Sequence, residues 1–430
     1  MNKIKSELIR TIVASLMFCL VVYLVISFKI YTFSEFGFLY VYTIFITTFM
    51  LSRIVGSFFY RSYKRRLNDE QKKKLRAGYE PSLSIVIPCK NEGKEIYSTM
   101  QKCLQSDYPK NKVEIIAIND GSTDNTLNEM LRLKRDYPDR KVKVINFRKN
   151  KGKRRGMYVG FKKATGEIIL QIDSDSYPAP NAFKKIVVPF LDERVGATVG
   201  HTDPSNKDKN LMTKIQTAYY FMSFRAMKAT ESIFDMVFCC SGCFSAYRRE
   251  YVLPVLDAWL DEKFMGKEII FGDDRALTNW IIREGYKTIY VADAIAYTAV
   301  PEKLKQFFKQ QVRWKKGWFI NSMRILPEVI KRDKFVAFTY FLPLIILTLT
   351  TPFLALKALI INPIFFGISS HHYVIGIILV SFLLFAHYGL YSKERYGKYM
   401  ILWSILNMTI FSYILLYALY DLRNMAWGTR

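Results

Sequence analysis

Apolar runs long enough to cross a bilayer stand near both ends of this chain, and no other feature limits its fold so strongly. A hydrocarbon core takes roughly 20 helical residues to span. Ile9–Phe28 and Phe36–Tyr60 reach that length near the start, and Phe335–Phe366, Tyr373–Tyr388 and Tyr399–Leu419 lie near the end. The first run has no small-residue cleavage site and a second run follows it, so it is expected to stay as an anchor rather than leave as a signal peptide. Lys3, Lys5 and Arg10 precede the first run, and Arg61, Lys64, Arg65 and Arg66 follow the second. Basic flanks favour the cytoplasmic side, which assigns the middle of the chain to the cytosol. The C-terminal runs count out less simply. Lys393, Arg395 and Lys398 call for the cytoplasmic side, as do Arg423 and Arg430, yet one obvious span separates the two groups. One run is therefore expected to be broken, re-entrant or interfacial: Phe335–Phe366, with Pro343, Pro352 and Pro363, or Tyr399–Leu419.

Between Leu67 and Asp333 the pattern changes to short β-branched runs alternating with charged helical stretches, the signature of βαβ units around a mainly parallel sheet. Leu83–Pro88, Val113–Ile118, Val142–Phe147 and Ile168–Ile172 read as strands, and each ends in a polar loop. Ligands of open α/β sheets bind at those carboxyl ends. Asn68–Tyr79 reads as a linker, and Val300–Ile330 as one or two amphipathic helices in the headgroup layer, carrying Phe307, Phe308, Trp314, Trp318 and Phe319. The formal charge of +26 suits a membrane surface and a phosphate-bearing substrate. Aromatic residues do not interleave with the basic ones as in a nucleic-acid platform, so no nucleic-acid partner is expected. The six cysteines match no paired Cys-x-x-Cys zinc spacing, and Cys240 and Cys243 read as small packing residues in a strand.

Five clusters carry chemistry. After the fourth strand comes Asp173-Ser-Asp175, where alternation along an extended segment points both carboxylates one way. Such hard oxygen ligands suit Mg²⁺ or Mn²⁺ bound partly through substrate phosphates, whereas a solvated turn is the bland alternative. Asp120 ends the second strand within Asn119-Asp-Gly-Ser-Thr-Asp-Asn-Thr126, able to accept from a base or ribose, while Ser122, Thr123 or Asp124 caps a helix. Lys151-Gly-Lys-Arg-Arg155 lies at a helix start, placed to meet diphosphate charge. In Gly272-Asp-Asp-Arg275 the adjacent carboxylates Asp273 and Asp274 can divide their work, one as general base and the other held by Arg275. Gln310-Gln-Val-Arg-Trp314 adds an Arg313 fork for phosphate and the Trp314 indole to stack on a sugar face.

In this order the motifs resemble those of the membrane family 2 glycosyltransferases that polymerise polysaccharides, and the resemblance covers nearly the whole chain. Its words are Ile87-Pro88 with Asn91-Glu92, then Asp120-Gly-Ser, Asp173-x-Asp175, Gly272-Asp-Asp274 and Gln310-x-x-Arg313-Trp314. Each is short and common; five in order are specific. Within the family the chain is most similar to the bacterial-type hyaluronan synthases, through Gly152-Lys-Arg, Gly200-His201, Cys240-Ser-Gly242, Ser245-x-Tyr-Arg-Arg-Glu250 and Trp427-Gly-Thr-Arg430. Cys243 stands where those enzymes usually carry proline, and Lys315-Lys-Gly-Trp318 departs from their continuation. Chitin-oligomer synthases share much of the wording.

The resemblance implies an α/β, GT-A-type (Rossmann-like) domain in the cytosol between N- and C-terminal transmembrane helices. The expected order is membrane helices over residues 1–60, the transferase over 61–300, interface helices over 301–333, transmembrane or re-entrant helices over 334–421 and a cytosolic gating tail over 422–430. It implies inverting displacement at a UDP-sugar. Asp120 would read the uridine, Asp173 and Asp175 would hold nucleotide and metal, with Asp175 the metal ligand, and Asp274 would be the base. Lys153 and Arg313 would neutralise the diphosphate, and Asp273, Arg275 and Gln310 would line the substrate site. Trp314 would stack at the acceptor with Cys240 beside it, and Trp427 and Arg430 would close over the diphosphate. The expected partners are UDP-sugars, the growing polysaccharide and membrane lipids, for a chain acting as a monomer in the plasma membrane. Tyr340, Thr348, Thr350, Thr351 and Tyr388 are candidates to line an export path. The other outcomes are a transferase adding one sugar to a lipid carrier and a nonenzymatic nucleotide-sugar binder.

Overall fold

The computed structural model describes residues 37–424 apart from 370 and 393, with isolated positions between 12 and 27. Its centre is an eight-stranded sheet in the order β3-β2-β1-β4-β7-β6-β10-β5. The strands are β1 (Leu83–Cys89), β2 (Val113–Asp120), β3 (Lys141–Phe147), β4 (Ile168–Gln171), β5 (Ser176–Pro178), β6 (Val195–Pro204), β7 (Ser245–Arg248) and β10 (Lys287–Thr298). A detached hairpin, β8 (Lys263–Phe264) with β9 (Lys267–Glu268), completes the set. β1 pairs in parallel with β2 and β4, and β2 with β3. β7 runs antiparallel to both β4 and β6, which makes the sheet mixed. Every residue of β1 and β2 is buried, as continuous apolar strands covered on both faces require.

Helix α1 (Gly37–Phe59) precedes the sheet, and α2 (Asp69–Arg76) forms where a linker was expected. The reason is local: Asn68 and Gln71 make a reciprocal capping box, Gln71 N–H to Asn68 Oδ1 at 2.8 Å and Asn68 N–H to Gln71 Oε1 at 3.0 Å. α3 (Ile96–Leu104) and α4 (Thr126–Asp136) cover one face of the sheet through Met100, Cys103, Met130 and Leu133. α5 (Lys153–Lys163) covers the other with Met157 and Phe161. α6 (Asp273–Arg283) follows, and the stretch expected as one or two amphipathic helices is a single 29-residue helix, α7 (Leu304–Arg332).

Among the described residues, two helices are long and apolar enough to cross a membrane: α8 (Lys334–Phe366) and, within α9 (His371–Tyr391), Tyr373–Tyr391. α8 runs through all three of its prolines. Wider π-turns at Ala337–Phe341 and Lys357–Ile361 lie just before Pro343 and Pro363 and accommodate the rings. The break falls instead in the last run, where Arg395–Thr409 and Phe411–Arg423 meet at 51°. Both ends of this bent pair touch the sheet domain's side of the molecule. Lys207 binds Glu394 at 2.6 Å before the pair, and after it Lys316 binds Asp421 at 2.5 Å and the Asn424 carbonyl at 2.9 Å. Lys267 of the hairpin donates to the Arg423 carbonyl at 3.2 Å. The two ends of the pair thus lie on one side of the molecule.

Candidate active site

A cavity of about 380 Å³ opens at the carboxyl end of β4, between α6 and α7. It is lined by Lys153, Asp173, Asp175, Asp273, Asp274, Arg275, Gln310, Arg313 and Trp314, so residues from four separate stretches of sequence converge there. Asp173 and Asp175 follow β4, and Lys153, at the first turn of α5, forms an ion pair with Asp173. Burial lowers the Lys153 pKa, but Asp173, Asp273 and Asp274 around it more than offset this and raise it overall.

The acidic pair opens α6 behind Gly272, whose φ of 69° is left-handed. A side chain at Gly272 would meet the α carbon of Gly317 at 3.0 Å, so two glycines let α7 lie directly on the Asp273–Asp274 turn. The two carboxylates are held differently. Asp273 is buried and bonded to Arg154 Nε at 3.0 Å, and burial raises its pKa in spite of that cation. Asp274 faces the cavity, with Oδ1 accepting the Arg275 N–H at 2.8 Å and Oδ2 the Gly242 N–H at 3.1 Å. The Arg275 guanidinium, expected on a carboxylate, instead donates to the Phe238 carbonyl at 3.3 Å. Trp314 lies near Tyr219 and Tyr220, with ring centroids 6.4 and 6.5 Å away, and forms an aromatic wall.

Asp120 does not line the cavity. Its carboxylate accepts the Lys151 N–H at 2.7 Å and the Gly152 N–H at 2.9 Å, which sets the turn that aims Lys153. Cys240 is a correction on two counts: it lies in a loop before β7, and it is fully buried rather than at the pocket wall. Its N–H donates to Thr278 Oγ1 at 2.9 Å, turning the side chain into the core beside Tyr247 and Leu277. Its neighbours reach the cavity instead, Cys239 Sγ at 3.8 Å from Asp274 Oδ2 and Cys243 Sγ at 3.7 Å from Asp173 Oδ2. Burial pushes the Cys243 thiol up to about 12, so it stays a neutral donor. Trp427 and Arg430 lie outside the described residues.

Arg154 was not singled out in the sequence, yet it joins Asp273 to Glu262, 3.3 Å away. Its spacing of three and seven from Met157 and Phe161 was the available signal that it faces inward. Among the described residues no group of three or more His, Cys, Asp or Glu side chains has the arrangement of a protein-only metal cage.

The mixed sheet with acidic loops at its strand ends defines a GT-A-type glycosyltransferase. A mannosyltransferase from Pyrobaculum calidifontis, solved with GDP-Man and Mn²⁺, shares the fold at a TM-score of 0.52, with 16% identity over 88% of this chain and 98% of that one. The profile described as "Glycosyltransferase like family 2" matches residues 81–317, and the chain belongs to that family. It is 30% identical to the hyaluronan synthase of Streptococcus pyogenes over 401 residues, 91% of this chain and 90% of that one. It is also 32% identical to an N-acetylglucosaminyltransferase of Neorhizobium galegae over 258 residues, 60% and 59% of the two chains.

Proposed function

We propose that this enzyme is a processive, inverting glycosyltransferase of the plasma membrane, polymerising UDP-GlcNAc and UDP-GlcA into hyaluronan and passing the chain outward between its helices. One observation carries the reading: the cavity holding Asp173, Asp175 and Asp274 is also lined by Thr348 of the apolar helix α8. A product formed there needs no further diffusion to meet the membrane segments, where a polar sugar requires a lined path. Tyr340, by contrast, is turned to Glu231, which its hydroxyl meets at 3.2 Å.

An acceptor hydroxyl attacks the anomeric carbon, Asp274 takes its proton and UDP departs. Two backbone N–H groups orient Asp274, so its free lone pairs face the cavity. Lys153 and Arg313 meet the negative charge that grows on the diphosphate, while Trp314, with Tyr219 and Gln310, positions the acceptor ring. Asp120 serves the uridine end by shaping the loop before Lys153. Asp175, with Asp173, supplies two carboxylate donors to Mg²⁺ or Mn²⁺, a set that suits a cation held in part by diphosphate oxygens. When bound, such a cation withdraws charge from the leaving group. Lys316 and Lys267 fasten residues 421–424 beside α7, so the tail carrying Trp427 and Arg430 starts next to the helix that bears Arg313.

A second reading, an N-acetylglucosamine oligomer synthase, is favoured by the rhizobial relative. Processivity is tested by product length at low donor conversion: long chains beside unused acceptor are expected, and a ladder growing one sugar at a time overturns the proposal.

A further inference from the structure

The cavity's cations are almost all engaged. Lys153 is paired with Asp173, Lys228 donates to the Cys239 carbonyl at 2.5 Å and Arg275 to the Phe238 carbonyl at 3.3 Å. Arg313 is attracted by Asp173, Asp273 and Asp274. Lys315 also lines the cavity, yet among the described residues it has no hydrogen bond, no ion pair and no attraction to any of those carboxylates. Burial alone acts on it and pushes its pKa down to about 8. An amine held this way awaits an anion.

Its position says which anion. Gln311, Lys315 and Trp318 recur at spacings of four and three along α7 and so share a face. Trp318 packs in the cluster that includes Tyr340 and Phe341 of α8, and Thr348 of α8 lines the same cavity. Lys315 therefore stands on the face of α7 that packs toward α8, and the carboxylates Asp173, Asp273 and Asp274, beside which the donor diphosphate is expected, exert no pull on it. Resting on the polymerase reading above, we propose that Lys315 is a specificity residue for the acceptor, its ammonium pairing with a uronate carboxylate of the growing chain as that chain leaves toward α8.

The experiment measures oligosaccharide binding to the full-length protein in nanodiscs, by quenching of tryptophan fluorescence, for wild type, Lys315→Met and Lys315→Arg. The ligands are an oligosaccharide alternating uronate with a neutral acetamido sugar, and an uncharged N-acetylglucosamine oligomer of equal length. Lys315→Met is expected to weaken the uronate ligand by at least about tenfold, as loss of a partly buried charge partner does, and to spare the neutral one. Lys315→Arg is expected to retain uronate binding. Equal effects on both ligands, or none, overturn the proposal. So does an effect seen only in discs of anionic lipid, which would assign the lysine to a headgroup. UDP release by the wild type with each donor reads the transferase reading separately, so either can fail without the other.

Discussion

Asp274→Asn is the most informative single change at the site, because it keeps shape and removes basicity. Asp274 accepts the N–H groups of Arg275 and Gly242 on different oxygens, at 2.8 and 3.1 Å. An asparagine satisfies one of these and turns its own N–H₂ toward the other, an unsatisfied contact costing about 1–3 kcal/mol in folding or local order. Loss of the base removes a further ~10²–10⁴-fold in rate, or about 2.7–5.4 kcal/mol at 1.36 kcal/mol per decade. The variant should insert and bind UDP, while UDP release from donor and acceptor falls by at least about a hundredfold. The assay is coupled UDP detection on purified protein in nanodiscs, with UDP affinity measured on the same samples. A rate within about fivefold of wild type, far inside the range for a lost base, would refute the assignment.

Three further outcomes follow from the geometry. Gly317→Val puts a branched side chain where even a β carbon lies 3.1 Å from the Gly272 α carbon, so overpacking by about 1–3 kcal/mol should lower both thermal stability and turnover. Arg154→Met leaves Asp273 and Glu262 without their shared buried cation, and unfolding in denaturant should show a loss of about 3–5 kcal/mol; an unchanged midpoint would argue against that network. Chelation of divalent cations should abolish UDP release, Mg²⁺ or Mn²⁺ should restore it, and Asp175→Ala should not be rescued by either.

The sheet was legible because its central strands are short apolar runs ending in polar loops, and β1 to β4 fall within a residue or two of their expected bounds. The site was legible to the extent that it follows strand ends and helix starts: Asp173, Lys153 and Asp274 each sit at such a junction. What escaped depends on tertiary direction. The Cys239–Cys243 stretch forms a loop, so the period of two expected of a strand does not apply and Cys240 turns inward while its neighbours face the cavity. Arg154 and Lys315 each lie within basic runs in which charge alone does not say which member is buried. The helix Asp69–Arg76 lies in a stretch whose polarity reads as a linker, and its local signal is the Asn68–Gln71 capping box. The C-terminal break could be narrowed to two runs, but choosing between them required knowing that π-turns absorb the prolines of α8.

The most direct measurement incubates the purified protein with UDP-GlcNAc alone, with UDP-GlcA alone and with both, and sizes the products. High-molecular-weight polymer only when both donors are present is the expected result. Polymer from UDP-GlcNAc alone, or single-sugar products under every condition, would contradict hyaluronan synthesis by this chain.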